Sequence, residues 1–182
     1  TTDIPLNAYG IELAEKTAEG LKAVPFDRIY TSPLIRARKT AEIIRGDRPI
    51  EIIETDGLKE ISFGDYEGLC YLPDNYTIPK PGFRKFFDDP EHYDTPPHGE
   101  SLLHLRERTS SFVRSIMDDP ANENMTFLMT AHGAAIRGIL SGLQNLPLAE
   151  FWSGPVHKNC GVTKLHVEHG KFNIEFENRL YY

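Results

Sequence analysis

Apolar and polar positions alternate along the chain with periods that change from segment to segment. Tyr9, Leu13, Thr17 and Leu21 fall on one face at helical spacing, which predicts an amphipathic helix from about Asn7 to Lys22 packed against a sheet. Arg28-Ile29-Tyr30-Thr31-Ser32 reads as a short buried strand, and Ser32-Pro33 offers an N-cap and an N1 proline for a helix that runs to about Arg45 and stops at Gly46. Glu51 to Glu54 is a second strand. Strand, helix and strand within so short a stretch is the βαβ pattern of a parallel sheet.

From about Phe63 to Gly99 the periodicity weakens. Pro73, Pro79, Pro81, Pro90, Pro96 and Pro97 punctuate a region rich in Tyr and Asp, which suits a cap or a long active-site loop where substrate is selected. Leu102, Leu105, Thr109, Phe112 and Ile116 then mark one face of a long helix ending near Asp119-Pro120. Met125 to Thr130 is a mostly apolar, uncharged run of the kind expected of a central strand buried on both faces. It breaks at Ala131-His132-Gly133 into a helix through Leu143. Two last strands, about Val162 to Val167 and Phe172 to Glu177, turn at His169-Gly170. The expected fold is an α/β three-layer sandwich, a mostly parallel central sheet with helices on both faces. The length suits one domain over residues 1–182 with a cap or long-loop insertion at about 63–99.

Composition narrows the function. Apolar residues make 40% and charged residues 26% of the chain, ordinary globular values. Lys plus Arg number 20 against 27 Asp plus Glu, a net charge of -7, which argues against a nucleic-acid binder or a binder of anionic membranes while leaving room for a local cationic pocket. Cys70 and Cys160 lie far apart, with no metal-binding spacing, and a reducing, cytoplasmic setting is the simpler expectation. No apolar run approaches the ~20 residues of a membrane span. The chain opens in loop-like sequence, Thr1 to Asn7, running straight into a helix, so a segment upstream is expected.

Three residues have the makings of a phosphoryl site. His132 sits where a central strand gives way to a helix, the place where α/β folds collect ligands; Gly133 after it lets backbone approach a ligand, and the helix start favours an anion. The alternative is a histidine capping its own helix. Arg36 lies one turn into the helix that leaves the first strand, and its guanidinium suits bidentate phosphate binding, whereas Arg38 belongs to another face of that helix and to solvent. Glu60, with Leu58, Ile61 and Phe63 nearby, is either a surface glutamate or a partly desolvated one. Desolvation would raise its pKa and suit it to protonating a leaving alkoxide. These residues follow three different strands and converge only if the sheet is parallel.

The sequence resembles the histidine phosphatase superfamily, which includes cofactor-dependent phosphoglycerate mutases, over nearly its whole length. The resemblance rests on Asp3 to Gly10, on Ser32-Pro33-Leu34-Ile35-Arg36-Ala37-Arg38-Lys39-Thr40-Ala41 and on Leu58 to Gly68, and continues through Gly99-Glu100-Ser101, Ala131-His132-Gly133 and Asn159 to Val162. It implies that Arg36 is a phosphate-binding arginine, Glu60 the acidic proton donor, and His132 the second histidine, which binds the phosphate and stabilises the transition state. Ser101 matches a position near the substrate in some members. Members need no metal, because arginines and histidines neutralise the phosphate.

The family's signature, however, is an N-terminal strand ending in Arg-His-Gly whose histidine becomes phosphorylated, expected roughly twenty residues before Asp3, and no Arg-His-Gly occurs in this sequence. His92, His98, His104, His157, His166 and His169 are read as loop or surface residues and offer no substitute. Lack of a central strand would leave unpaired edges inside the sheet, which would close by rearrangement or pair with a second copy as a homodimer. The favoured explanation is an upstream segment absent from this chain; an inactive relic and a substitute nucleophile rank below it. The expected activity of the intact protein is metal-independent hydrolysis of a small phosphorylated metabolite through a phosphohistidine, with phosphate or sulfate as a possible ligand of the site and the chain as it stands inactive. Mutase-type transfer is disfavoured, because residues 63–99 carry only Lys80, Arg84 and Lys85 against several acids. A phosphate-binding or dimerisation module is the non-catalytic alternative.

Overall fold

The structure, a computed structural model, describes residues 2–155 and 157–182. The loop-like start expected at Thr1 therefore lies partly outside the described residues. Helix α1 (Ala8–Gly20) is capped by Asn7, whose side chain accepts from Gly10 N at 2.8 Å, and it presents Leu13, Ala14 and Thr17 inward. Strand β1 (Arg28–Thr31), helix α2 (Ile35–Arg45) and strand β2 (Ile52–Glu54) follow as the expected βαβ unit.

Helix α2 starts two residues later than the Ser32-Pro33 signal predicts. Its N-cap position is Leu34, which has no side-chain cap. Asp3 replaces the missing cap from a distant part of the chain, accepting from Ile35 N at 2.8 Å, while the Ser32 hydroxyl accepts from Leu34 N at 3.3 Å and also meets a partner from outside the helix.

Residues 63–99 contain little regular structure, as their prolines predict: a short helix α3 (Lys85–Asp88) and isolated 3-10 turns. Aromatic packing gives this region its order. Phe63, Phe83, Phe86 and Tyr93 meet edge to face and stacked at centroid distances of 5.1 to 5.9 Å, and Trp152 Nε1 donates to the Phe86 carbonyl. Helix α4 (Leu102–Met117), capped by Ser101, leads to strand β3 (Phe127–Thr130) and helix α5 (Gly133–Leu143). Strands β4 (Val162–Glu168) and β5 (Lys171–Arg179) close the chain.

Among the described residues the sheet order is β2-β1-β3, all parallel, with Tyr30 beside both Ile53 and Met129; β4 and β5 form a separate antiparallel hairpin. Side chains alternate across β1. Tyr30 joins Leu58, Val113, Ile139 and Leu143 in the core beneath α4 and α5, while Thr31 faces α2, where Thr130 Oγ1 donates to the Ala37 carbonyl at 3.1 Å. Helices thus cover both faces, as the α/β sandwich reading expects. Helices α4 and α5 approach closely because Gly142 lies against Ser110, where an added Cβ would collide.

One expectation fails in detail. Met125 to Thr130 reads as a strand buried on both sides, yet the strand begins at Phe127 because Met125 N closes a turn onto Asn122. Phe127, Leu128 and Met129 are only half-buried. The reason is topological: β3 is an edge of its sheet, and the hairpin reaches the core through Leu165 and Phe172 rather than by pairing with β3.

Candidate active site

The carboxyl ends of the parallel strands bring the three candidates together. His132 has extended dihedrals at the N-cap position of α5 and makes no side-chain cap, so the self-capping alternative does not hold. Its ring crosses instead to the other elements. Arg36 Nε donates to His132 Nδ1 at 3.2 Å, and Nε2 lies 2.8 Å from Ser32 Oγ. Since Arg36 is always a donor, Nδ1 carries a lone pair and Nε2 the proton, which it gives to Ser32. Ser32 is therefore a site residue that the sequence pattern disguised as a helix cap.

His132 is 9% exposed. Burial, helped by the Arg36 charge, pushes its pKa down to about 3, so it is a neutral imidazole at any ordinary pH. His157 behaves alike. Read from sequence as a loop or surface residue, it does lie in a loop, but its side chain is only 4% exposed because it is tucked beside the ion pair of Arg137 and Glu177, 2.5 Å apart. Burial and then the Arg137 charge lower its pKa to about 4.

These two imidazoles make a stability prediction. Unfolded, both titrate near 6.5, so the unfolded chain binds more protons than the folded one below that pH. Their contribution is complete above pH 6.5 and is lost as pH falls toward 4, by up to about 1.4 kcal/mol per pH unit for each histidine. Urea midpoints at pH 7.5, 6 and 5 should decline in that order, and His157→Gln should flatten the decline. A profile unchanged from pH 7.5 to 5 would refute the neutral buried state of both rings.

Glu60 lies after β2 in the loop that passes the start of α5. Its carboxylate accepts from Ala134 N at 3.2 Å and Ala135 N at 3.0 Å, and from its neighbour Ile61 N at 2.9 Å. It thus caps α5 from outside and takes the place of the cap His132 does not make. Burial pushes its pKa up, opposed by these three backbone donors and by the Arg36 charge. The surface-glutamate alternative therefore fails.

A cavity of about 320 Å³ opens over these residues, lined by Arg36 and Glu60 together with Ile61 and Phe63, and on its far side by Thr2, Ile4, Pro5 and Glu67. The Thr2 carbonyl accepts from Arg36 Nη1 at 3.1 Å, and its N and Oγ1 both lie 3.2 Å from Glu67 Oε2. Of the other sequence candidates, Gly133 is exposed, and a Cβ there would meet no protein atom, so its surroundings are open to a ligand. Ser101 is spent on capping α4, accepting from His104 N at 3.1 Å, and does not line the cavity. Thr2, Asp3 and Glu67 escaped the sequence reading, because the contacts of Thr2 with Arg36 and Glu67 and of Asp3 with Ile35 depend on the chain folding back over more than thirty residues.

Chemically, the site offers a permanent cation and a carboxyl group of raised pKa lining one small cavity, with a neutral imidazole behind the cation and a helix N-terminus capped by that carboxyl. Groups of this kind suit a phosphoryl group. The chain is 37% identical over 140 residues to an uncharacterised phosphatase, PhoE, of Bacillus subtilis, a match spanning 77% of this chain and 65% of that protein. Its fold matches Bacillus stearothermophilus YhfR with a TM-score of 0.89 at 34% identity, covering 98% of this chain and 86% of the other. An Entamoeba histolytica phosphoserine phosphatase solved with 3-phosphoglyceric acid matches with a TM-score of 0.81 at 30% identity, covering 98% and 86%. Residues 1–179 also fit the sequence model of branch 1 of the histidine phosphatase superfamily, and the chain belongs to that superfamily.

Proposed function

We propose that the intact protein is a metal-independent phosphatase that hydrolyses a small phosphomonoester through a phosphohistidine, and that the attacking histidine comes from an Arg-His-Gly strand upstream of Thr1. The observation that carries this reading is the meeting of Arg36, His132 and Glu60 at one sheet end, where Arg36 and Glu60 line the cavity and His132 stands behind Arg36. None of the three is a ready nucleophile. The His132 lone pair is taken by Arg36, and Arg36 and Glu60 serve as cation and acid. The edge of β3, which ends at Thr130 two residues before His132, is where an added parallel strand would deliver its last residues to the cradle.

In the proposed reaction the upstream imidazole nitrogen forms a bond to phosphorus as the bond from phosphorus to the alcohol oxygen breaks. Glu60 gives its proton to the departing alkoxide. Arg36 holds the non-bridging oxygens, whose charge changes most in the transition state, and His132 joins it by turning its Nε2 proton from Ser32 to the phosphate. In the second half water attacks phosphorus, loses its proton to the Glu60 carboxylate, and the bond from nitrogen to phosphorus breaks. Phosphate leaves and Glu60 is again an acid. Hydrolysis is favoured over transfer between two positions of a bisphosphate because residues 63–99 carry only three Lys and Arg residues, two of them already paired: Lys80 with Asp94 at 3.6 Å and Arg84 with Asp88 at 2.7 Å.

The β3 edge also supports a second reading, in which it pairs with a second copy of this chain. A monomeric mass by size exclusion would remove that reading. A cytoplasmic setting is part of the proposal, since Cys70 and Cys160 are free thiols; no helix among the described residues is long and apolar enough to cross a membrane.

The test is hydrolysis of an aryl phosphate, with chelator present, by the 182-residue chain and by the same chain preceded by the residues encoded upstream. Turnover is expected only in the longer protein, and replacing the histidine of its Arg-His-Gly by alanine should abolish it. Turnover by the 182-residue chain would overturn the upstream nucleophile and make His132 the first suspect.

A further inference from the structure

Glu60 sits in a loop, and a loop holds a proton donor in place only if its backbone is fastened. The fastening comes from an ion pair outside the cavity. Arg108, on α4, meets the Glu100 carboxylate in the bidentate geometry, Nε to Oε1 at 2.9 Å and Nη2 to Oε2 at 2.8 Å, which fixes both side chains in orientation. Its other hydrogen bonds go to backbone. Nη1 donates to the Asp56 carbonyl and Nη2 to the Lys59 carbonyl, the latter at 3.1 Å. The Lys59 carbonyl belongs to the peptide unit that enters Glu60. Just beyond Glu60, the Ser62 carbonyl accepts from the backbone N of Glu100 at 2.8 Å.

Glu60 is therefore held between two backbone anchors, both delivered by the same pair of residues. The pair is also well sheltered, with side-chain exposures of 20% for Arg108 and 12% for Glu100, against 51% and 55% for a surface pair such as Lys16 and Glu12. Surface pairs contribute little to order. A sheltered bidentate pair with further backbone bonds holds one geometry, and His104 Nδ1, 2.7 Å from Glu100 Oε1, closes its outer side.

We propose that Arg108 and Glu100 are positioning residues for Glu60, holding the peptide units on either side of it so that its carboxyl stays against the start of α5 and over the cavity. The inference rests on the reading of Glu60 as the proton donor. Catalytic groups need placement to within about 0.5 Å, and a displacement of about 1 Å can slow a reaction on the order of a hundredfold. Neither residue touches the cavity, so the effect is exerted wholly through the Glu60 backbone.

The experiment uses the chain as it stands and needs no turnover. Glutamate carboxyl carbons are labelled, the Glu60 resonance is assigned with Glu60→Gln, and its titration is followed by NMR in the unaltered chain, Arg108→Gln, Arg108→Lys and Glu100→Gln. Affinity for inorganic phosphate is measured on each. In Arg108→Gln the Glu60 midpoint should fall toward the ordinary carboxylate range as water reaches the loosened loop, while phosphate affinity stays within about twofold, because Arg36 and His132 belong to other elements. Arg108→Lys should not restore the midpoint, since one ammonium cannot replace the planar fork. Should Arg108→Gln fail to fold, Glu100→Gln carries the same comparison, as it keeps the shape and one acceptor oxygen. A Glu60 midpoint unmoved in the variants, or one that falls together with phosphate affinity as general loosening would make it, overturns the proposal. An ordinary midpoint already present in the unaltered chain overturns the proton-donor reading, and the proposal with it.

Discussion

In the protein completed by its upstream strand, Arg36→Ala should lower kcat by about a hundredfold or more, the scale of a lost charge contact in the transition state. His132→Ala should cost about as much. On the proposed reading both groups serve the non-bridging oxygens, Arg36 directly and His132 through the Nε2 proton that otherwise goes to Ser32, and water, which reorients where a fixed donor does not, replaces neither. Their hydrogen bond of 3.2 Å makes them one unit, so the double variant should lose much less than the product of the two single losses. Arg36→Lys should recover little, because the guanidinium binds His132 through Nε and the Thr2 carbonyl through Nη1 at once, and an ammonium has no such fork. In the 182-residue chain the same variants should abolish binding of inorganic phosphate. Near-normal turnover in either single variant, or additive losses in the double, would sink the assignment of the cradle.

Most of the fold was legible in the sequence, and the reasons are local. Asn7 announces α1 and caps it; the run from Leu102 to Ile116 has one apolar face and becomes α4; Arg28 to Thr31 and Phe127 to Thr130 are short apolar runs between turn residues and become parallel strands. What misled at Ser32 and His157 was a contact made from far away. Ser32 carries every local sign of a helix cap, yet Asp3 caps that helix, and Ser32 accepts from His132, 100 residues on. His157 sits in loop sequence and is buried, because Arg137 and Glu177 come from α5 and β5 to enclose it.

The site divides in the same way. Arg36, Glu60 and His132 could be named because each follows a strand, and a parallel sheet brings strand ends to one side. Their roles could not be read so directly. That Glu60 caps α5 and that the His132 proton lies on Nε2 follow only from seeing which donor meets which acceptor. The clamp of Arg108 on Glu100 was invisible for a similar reason: an arginine on a polar helix face has the same sequence appearance whether it is solvated or fastens a loop.

Gly64→Ala should destabilise the fold by about 2 to 5 kcal/mol, roughly 1 to 2 for placing an alanine in the left-handed region and 1 to 3 for overpacking. Gly64 has φ +52° and lies just past Glu60 and Ser62, where a Cβ would run into the Pro97 carbonyl oxygen, the Gly99 nitrogen and the His98 carbonyl carbon. All three are backbone atoms, so no side chain can turn aside. The two segments are tied at this seam, Asp65 N to the Pro97 carbonyl at 3.0 Å and Glu100 N to the Ser62 carbonyl at 2.8 Å, so relief by separation would break those bonds and loosen the Glu60 loop. Gly68→Ala supplies the control. Gly68 also has a positive φ, +78°, but its Cβ would meet nothing within 4 Å, so this variant should show the backbone cost alone, roughly 1 to 2 kcal/mol. Urea unfolding of both at neutral pH separates strain from collision. Equal losses would mean that the seam yields easily, and the rigid support it gives to Glu60 would then have to be abandoned.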